Sequence, residues 1–204
     1  MKINKKKFIY LISPNKISYS FYNNLNLVLK TGKVSFFQLR LKSCSLKNKI
    51  TIGKKIKNIC KKNKVKFIIN DDPLLAIKLD ADGCHLGQND MSIKEAKKLL
   101  NKKIIGVTCH NSLSLAKKAI KYKVNYIAFG AFYSSKTKKT KYVASIKIIN
   151  KVKKFTKTPI VAIGGINFNN YKNLLLNKVN FLAISSYIWK NKKYKPFQAI
   201  ERLK

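Results

Sequence analysis

Carboxylates are rare in this chain, and two of them are placed where they could do chemistry. Asp71 and Asp90 each follow a short apolar run, and the 204 residues contain only seven Asp and Glu against 45 Lys and Arg. Carboxylates held among cations suit a hard divalent cation such as Mg²⁺, whose shell substrate phosphates commonly complete. The pair predicts a Mg²⁺ site. On spacing alone, an ordinary role for Asn70 and Asp71 as helix caps stays open.

Asp72 has a simpler interpretation than its neighbour Asp71. It directly precedes Pro73. Asp is a preferred N-cap residue, and Pro is favoured at the first helical position because its missing N–H is not needed there. We therefore expect Asp72 to cap a helix that begins at Pro73, and we do not assign it to the metal.

Basic and polar side chains follow another apolar run. Gln38, Arg40 and Lys42 are spaced by two in "QLRLK", so they share one face of an extended segment. Arg40 is one of only two arginines in a chain rich in lysine. Its planar, bidentate fork suits a phosphate or diphosphate group. The alternative, a pairing of Arg40 with a neighbouring carboxylate, is disfavoured because acids are so scarce.

Three further segments could contact phosphate. "SSKTKK" at 134–139 offers hydroxyl and ammonium groups that could surround a diphosphate, or it is an ordinary solvated lysine run. "IGGI" and "ISS" end two apolar runs, and backbone N–H groups at such positions bind phosphate in many barrels. Glycine also serves plain turns, so these two segments are ambiguous alone.

The cysteines and histidines suggest a zinc site that we do not expect. Cys84-His85 and Cys109-His110 stand in strand-like runs. Adjacent strand residues point to opposite faces, so each pair offers only one ligand to a shared site. The four cysteines show no CxxC spacing and predict buried, reduced thiols of a cytoplasmic protein.

Eight apolar runs rich in β-branched and aromatic residues position these groups. They lie at 7–13, 35–40, 66–70, 83–87, 103–109, 125–130, 159–166 and 180–186. Lys-rich segments with helical periodicity, such as 92–100 and 112–123, lie between most of them. The alternation predicts an α/β fold, a single (β/α)₈ TIM barrel over residues 1–204.

The predicted barrel would bring the polar groups together. Active sites of this fold lie at the carboxyl ends of the strands, and the polar groups described above follow those ends. A doubly wound open sheet is the rival fold. It normally carries a Gly-rich fingerprint after its first strand, and "LISPNK" has none.

The formal net charge of +38 is extreme. Such a charge attracts polyanions, but no recognised nucleic-acid-binding module accompanies it. We interpret it as drift in residue usage and predict no specific nucleic-acid partner. No apolar run approaches the ~20 residues of a membrane span, and the apolar part of the first run is too short for a signal peptide. The sequence leaves the oligomeric state open, a homo-oligomer included.

The ordered motifs resemble those of the thiamine-phosphate synthase family, a barrel family that also includes thiazole tautomerases. "QLRLK" looks like its Gln-x-Arg-Glu-Lys, and "INDDPLLA" looks like its Ile-Asn-Asp-Arg-x-x-x-Ala. "DADGCHLGQNDMSIKEAKKLL" is close to its Gly-Ala-Asp-Gly-x-His-Leu-Gly-Gln-x-Asp segment. "IIGVTCHN", "YIAFGAFYSSKTKK" and "PIVAIGGIN" match its remaining motifs. The resemblance runs from about residue 8 to residue 188.

The resemblance implies a transferase that joins 4-amino-2-methyl-5-hydroxymethylpyrimidine diphosphate to hydroxyethylthiazole phosphate, giving thiamine monophosphate and diphosphate. These small molecules would be its partners, and Mg²⁺ on Asp71 and Asp90 its cofactor. Arg40, Lys42 and Lys138 would be its catalytic cations. The implied substrate-binding residues are Gln38, Arg40, Lys42, Asn70, Thr108, Ser135, Thr137, Lys138, Gly165, Ile184 and Ser185.

The chain departs from the family pattern at several positions. Leu41 replaces the usual Glu, Asp72 the usual Arg, and Ser134 and Ser135 a Pro-Thr; Thr108 stands where Ser is usual. These changes leave the groups assigned to diphosphate and metal in place.

Two alternative functions remain. The first is a thiazole tautomerase, with His110 as general acid–base group. That branch typically lacks the Gln-x-Asp segment, which is intact here at residues 88–90. The second is a basic nucleic-acid-binding protein, suggested by charge alone.

Overall fold

The computed structural model describes residues 7–134 and 142–204, and eight segments in these ranges form parallel strands. The strands are β1 (Ile9–Ile12), β2 (Val34–Leu39), β3 (Lys66–Asn70), β4 (Gly83–Leu86), β5 (Ile104–His110), β6 (Tyr126–Gly130), β7 (Ile160–Ile163) and β8 (Phe181–Ile184). Each strand pairs with the next, and β8 pairs with β1, so the sheet closes into a barrel. The predicted (β/α)₈ TIM barrel is confirmed, and no strand extends more than one residue beyond the run that predicted it.

Helices alternate with the strands and cover the outside of the barrel. They are α1 (Tyr19–Lys30), α2 (Leu46–Lys62), α3 (Pro73–Lys78), α4 (Ile93–Leu100), α5 (Leu113–Lys121), α6 (Ile146–Lys153), α7 (Tyr171–Leu176), α8 (Ser186–Trp189) and α9 (Pro196–Glu201). Ser45, Ser92 and Ser112 each accept a hydrogen bond from a backbone N–H three residues further on. These contacts satisfy N–H groups that the first helical turn leaves unpaired.

Asp72 begins α3 as the sequence predicts. Its Oδ1 accepts a hydrogen bond from the backbone N–H of Leu75 at 2.9 Å, and Pro73 is the first helical residue. The cap directs the chain out of β3 and into the helix. Asp71, one residue earlier, is thereby left at the strand end.

Strand side chains alternate between the barrel interior and the layer beneath the helices, because successive residues of a strand face opposite sides. The interior cluster consists of Tyr10, Ile12, Phe36, Ile68, Tyr126, Ala128, Val161, Phe181 and Ala183. Their neighbours, such as Leu11 and Phe37, pack against the helices. The period of two therefore places Gln38, Asn70 and Ser185 on the inner face, above Phe36, Ile68 and Ala183.

The described ranges contain no helix that is long and apolar enough to cross a bilayer.

Candidate active site

Five of the seven carboxylates have structural roles. Asp72 and Glu95 cap helices, and Glu95 completes a capping box with Ser92. Asp80, Asp82 and Glu201 each pair with at least one lysine, at 2.9 Å, 2.7 Å and 3.6 Å respectively. The two acids singled out from the sequence, Asp71 and Asp90, stand apart from these five at the mouth of the barrel.

The backbone holds Asp71 firmly at the end of β3. Its N–H donates to the carbonyl of His85 at 2.8 Å, which continues the pairing of β3 with β4 by one residue. Its φ of +66° is unusual for a residue other than glycine. The surrounding barrel must stabilise this conformation, and functional sites often contain such strain.

Asp90 reaches the same place from the loop after β4. Its Oδ2 accepts the backbone N–H of Gly87 at 2.6 Å, which closes that loop on itself. The structure therefore brings Asp71 and Asp90 together, within hydrogen-bonding reach of each other. Lys42 lies beside them, with its Nζ 3.9 Å from Asp71 Oδ2.

The surroundings of Asp71 disfavour its negative charge. Burial raises the pKa of Asp71 above its ordinary value, and the hydrogen bond and charge of Asp90 raise that pKa further. Lys42 and Arg40 act in the opposite direction. Two carboxylates in contact repel when both are charged. A proton, or a metal ion between them, would remove that repulsion.

The donor set fits Mg²⁺. Across residues 7–134 and 142–204, no three His, Cys, Asp or Glu side chains converge on one point. Mg²⁺ does not need such a cage, because it is typically held by one or two carboxylates and completes its octahedron with water and phosphate oxygens. Asp71 and Asp90 match that requirement.

The basic side chains that follow β2, Arg40 and Lys42, face the same mouth as Gln38 near the end of that strand. Gln38 is only 2% exposed. Ser13, at the end of β1, accepts the backbone N–H of Arg40 through its Oγ at 2.9 Å. The Arg40 Nη1 donates to Asn15 Oδ1 at 3.2 Å. The loop after β1 thus holds the guanidinium at the rim of the barrel, where its charge also acts on Asp71.

A cavity of about 480 Å³ lies beside Asp71, lined in part by Lys42, Asn70 and Asp72. Leu41, which replaces the Glu usual in the resembling family, lines the same cavity and is 7% exposed. Its side chain packs into the layer beneath the helices, so this departure adds apolar surface and leaves Lys42 in place.

The opposite side of the mouth is built by glycines and a serine. Gly165 has a φ of +62°, and a Cβ on it would lie 2.5 Å from the carbonyl oxygen of Ser134. This glycine therefore lets the loop after β7 lie against the loop after β6. Ser185 Oγ donates to the carbonyl of Ser13 at 3.3 Å, which ties the end of β8 to β1.

Ile184 was predicted as a substrate-binding residue, and its side chain faces away from the mouth. It is 2% exposed and packs in the layer between the strands and the helices. The period of two explains this, since its neighbour Ser185 faces inward. Ile184 can contact a ligand only through its main chain.

Ser135, Thr137 and Lys138 lie outside the described residues. Described residues on either side of them are joined by hydrogen bonds just after β6. Ala131 N–H donates to the carbonyl of Tyr142 at 3.1 Å, and Ala144 N–H donates to the carbonyl of Ala131 at 2.8 Å.

Sequence reasoning missed a set of polar side chains inside the barrel. Tyr10, Tyr126 and His85 lie between Gln38 and Thr108 and are joined to them by hydrogen bonds. A signal was available, because a tyrosine on the inner face of a strand needs a partner for its hydroxyl. The sequence pattern alone suggests for His85 only a zinc site that we do not expect.

Fold and site together define a class: a (β/α)₈ barrel whose mouth joins paired carboxylates to basic side chains, as suits a metal-assisted reaction of a phosphorylated substrate. The sequence model of the family described as thiamine monophosphate synthase matches residues 9–188. The chain belongs to this family.

Individual relatives agree with the family match. A thiamine-phosphate synthase from Pelagibacter ubique (strain HTCC1062) is 66% identical over 207 aligned residues, covering 100% of both chains. Another from Nitrosomonas eutropha (strain DSM 101675 / C91 / Nm57) is 37% identical over 182 residues, covering 89% of this chain and 86% of its own. The resemblance seen in the sequence motifs is confirmed.

Solved structures give the same picture. Thiamine phosphate pyrophosphorylase from Pyrococcus furiosus superposes with a TM-score of 0.85 at 28% identity, covering 97% of this chain and 94% of the other. A mutant tryptophan synthase alpha-subunit from the same organism superposes at 0.74 with 10% identity, covering 99% of each chain. The second likeness reflects the shared barrel fold alone.

Proposed function

We propose that this chain joins 4-amino-2-methyl-5-hydroxymethylpyrimidine diphosphate to hydroxyethylthiazole phosphate, forming thiamine monophosphate and releasing diphosphate. This is the activity of a thiamine-phosphate synthase, a transferase, and both the family match and the relative at 66% identity support it. One structural observation supports a reaction at the barrel mouth. Asp71 and Asp90 converge there beside Lys42, within reach of the charge of Arg40.

The diphosphate would occupy the rim between β2 and β3. Arg40 offers a planar fork that can donate to two phosphate oxygens at once. Lys42 adds a second positive charge, and its side chain is 58% exposed, so it can turn toward an incoming anion. Gln38 and Asn70 are neutral, and their amides suit hydrogen bonds to the substrate below the charged rim.

Asp71 and Asp90 are the residues that would hold Mg²⁺, with Asn70 adjacent. The ion would neutralise charge on the diphosphate as it leaves. The chain's own contribution is to hold two carboxylates in contact before substrate arrives. The φ of +66° at Asp71 and the Gly87–Asp90 hydrogen bond keep them there.

The reaction needs stabilisation of charge more than it needs a base. The bond between the pyrimidinylmethyl carbon and the diphosphate oxygen breaks, and negative charge grows on the leaving group. Arg40, held by Asn15, would stabilise that charge from a fixed position, which is effective because little reorganisation is needed, and Lys42 would turn toward it. The carbon becomes electron-poor, the pyrimidine amino group delocalises the charge, and the thiazole nitrogen forms the new bond to carbon.

The thiazole phosphate would bind on the far side of the mouth. Gly165, the main chain of Ile184, and Ser185 are assigned to it by the family resemblance. The close approach of the Gly165 loop to Ser134 supports a site there, because it brings the loops after β6 and β7 together on that side. Ser135, Thr137 and Lys138 would contribute from the segment after β6, with Lys138 as a further cation for the diphosphate.

A reducing compartment suits the cysteines. Cys60, Cys84 and Cys109 are buried free thiols, and Cys44 is partly exposed and unpaired. Burial raises the pKa of each buried thiol, which keeps it protonated and unreactive. These features support a cytoplasmic location.

Mass spectrometry of the products tests the proposed reaction. The chain should convert the two substrates to thiamine monophosphate in the presence of Mg²⁺, and removal of the metal with a chelator should stop the reaction. Isomerised thiazole phosphate without a new carbon–nitrogen bond would instead identify a tautomerase. If neither thiamine monophosphate nor isomerised thiazole phosphate forms, with or without Mg²⁺, the synthase assignment is refuted.

A further inference from the structure

A continuous line of hydrogen bonds crosses the inside of the barrel. Gln38 Nε2 donates to Tyr10 Oη at 3.0 Å, and Tyr10 Oη lies 2.8 Å from Tyr126 Oη. Tyr126 Oη lies 3.0 Å from His85 Nδ1, and His85 Nε2 lies 2.8 Å from Thr108 Oγ1. We call this set the interior chain. It begins at Gln38 and ends at Thr108, two residues assigned to substrate binding.

The hydroxyls of the interior chain are not needed to fill space. Tyr10 and Tyr126 are 2% and 1% exposed, and Phe36 and Phe181 pack around them. Phenylalanine would fill nearly the same volume without a polar atom to satisfy. Two buried phenols are costly unless they are paired. The pairing therefore indicates a role for the hydroxyl groups themselves.

The backbone makes room for this arrangement. The ring of Tyr126 lies over Gly106 of β5, and a Cβ at that position would come within 1.8 Å of the Tyr126 Cζ. The ring of His85 stacks on the ring of Tyr126, with centroids 5.6 Å apart and planes 11° from parallel. Gly106 thus lets the two rings lie side by side across the barrel.

Donor and acceptor rules give the interior chain a direction. A Gln38 amide nitrogen can only donate, so Tyr10 accepts from it and gives its single hydrogen to Tyr126. Tyr126 then gives its own hydrogen to His85 Nδ1. A neutral imidazole with Nδ1 as acceptor carries its hydrogen on Nε2 and donates it onward.

The last bond in this sequence determines what Thr108 can do. Its Oγ1 accepts the hydrogen of His85 Nε2, so its own hydroxyl hydrogen is available to an acceptor in the mouth. Gln88 Nε2 donates to the carbonyl of Thr108 and holds its main chain. Gln88 belongs to the loop that also contains Asp90, so that loop and Thr108 are held together.

We propose that Tyr10, Tyr126 and His85 are positioning residues that order the hydrogens from Gln38 to Thr108, so that Thr108 presents a donor hydroxyl to the bound pyrimidine diphosphate. The proposal rests on the proposed function for the identity of the ligand. The interior chain does not transfer a proton in the reaction.

The electrostatics of the interior agree with this order. His85 is partly exposed, but burial of its ring lowers its pKa to about 4. The ring is therefore neutral at physiological pH and has one hydrogen to place. Burial also raises the pKa values of Tyr10 and Tyr126, so both phenols keep the hydrogens that the order requires.

The rival order is the reverse one. If Gln38 presented its amide oxygen to Tyr10, donor and acceptor would be exchanged in every hydrogen bond of the interior chain, and His85 would carry its hydrogen on Nδ1. Thr108 would then donate to His85, and its oxygen could only accept from a ligand. The two orders therefore differ in a measurable property, the tautomer of His85.

Nitrogen-15 NMR of the histidine rings tests the order in the metal-free protein. The chain has two histidines, so the variant His110→Gln identifies the His85 signals. The proposal predicts the Nε2–H tautomer for wild type and a loss of that preference in Tyr126→Phe. The Nδ1–H tautomer in wild type, or a tautomer that Tyr126→Phe leaves unchanged, would overturn it.

Kinetics test the consequence for substrate. Tyr126→Phe and Tyr10→Phe should each lower kcat/KM for the pyrimidine diphosphate about tenfold, the usual effect of one well-placed hydrogen bond. KM for the thiazole phosphate should not change. Tyr171→Phe is the matched control, because the buried Tyr171 hydroxyl donates to the carbonyl of Lys204 at 2.9 Å and is not bonded to any member of the interior chain.

Equal losses in all three variants would indicate a structural role and overturn the proposal. Failure of wild type to form thiamine monophosphate would refute the proposed function, while the tautomer measurement would still decide the order of the interior chain. Melting curves of each variant show whether a loss of activity reflects unfolding.

Discussion

Asp90→Asn separates the metal role of Asp90 from its structural role. Asn keeps a side-chain oxygen that can accept the Gly87 N–H, the 2.6 Å bond that closes the loop after β4. It loses the negative charge that the pair needs to hold Mg²⁺. Loss of the charge also removes a repulsion from Asp71, so the free energy of unfolding should change by no more than about 1 kcal/mol.

The effect on catalysis should be much larger. A preorganised group that stabilises charge in the transition state contributes about 2.7–4 kcal/mol, which corresponds to roughly a 10²- to 10³-fold change in kcat. Steady-state formation of thiamine monophosphate, measured over a range of Mg²⁺ concentrations, should show that loss. Part of it should return at high Mg²⁺, because Asp71 remains.

Asp80→Asn is the matched control for this experiment. Asp80 binds Lys57 and Lys103 at 2.9 Å each, and its side chain is 77% exposed. The same change of charge there should leave kcat and the Mg²⁺ dependence unaltered. An Asp90→Asn variant with normal turnover and normal Mg²⁺ dependence would refute the metal assignment.

Four further outcomes are expected. Arg40→Lys keeps the charge and loses the bidentate fork, so kcat/KM for the pyrimidine diphosphate should fall by a factor that corresponds to about 1.5–3 kcal/mol; an equal loss toward thiazole phosphate would contradict the role. Asp72→Ala removes the N-cap of α3 and should lower the free energy of unfolding by about 1 kcal/mol, with kcat retained below the melting range. The folded state binds the proton of Asp71 more tightly than the unfolded chain, because the pKa of Asp71 is raised on folding. The free energy of unfolding should therefore fall as pH rises from the ordinary pKa of Asp through the raised one. Metal-free Asp71→Asn should therefore melt above wild type near neutral pH and equal it in acid; identical curves at both would contradict the shift. Duplex DNA should bind loosely, and a plot of log affinity against log salt concentration should have a slope of about −0.9 for each phosphate contacted. Turnover should change far less over the same salt range, and sequence-selective binding at physiological salt would contradict this.

Local patterns were sufficient to predict the barrel. Most strands are short apolar runs with β-branched or aromatic residues, and local chemistry also set the start of α3 at Asp72 and Pro73. The convergence of Asp71 and Asp90 could be predicted because the fold gathers the carboxyl ends of its strands. The outward orientation of the Ile184 side chain follows from the period of two, because its neighbour Ser185 faces inward.

The interior chain could not be predicted in the same way. Tyr10 and Tyr126 are 116 positions apart, and their contact depends on barrel closure and on the space above Gly106. The pairing of Arg40 with Asn15 likewise depends on the course of a loop. Such contacts are decided by tertiary geometry, whereas strand and cap signals are local.

A single-turnover experiment with enzyme in excess over both substrates tests the central claim most directly. The account predicts one thiamine monophosphate and one diphosphate per pyrimidine diphosphate consumed, with both products absent after metal removal and restored by Mg²⁺. Diphosphate released without a new carbon–nitrogen bond, or thiamine monophosphate formed at the same rate without any divalent metal, would contradict it.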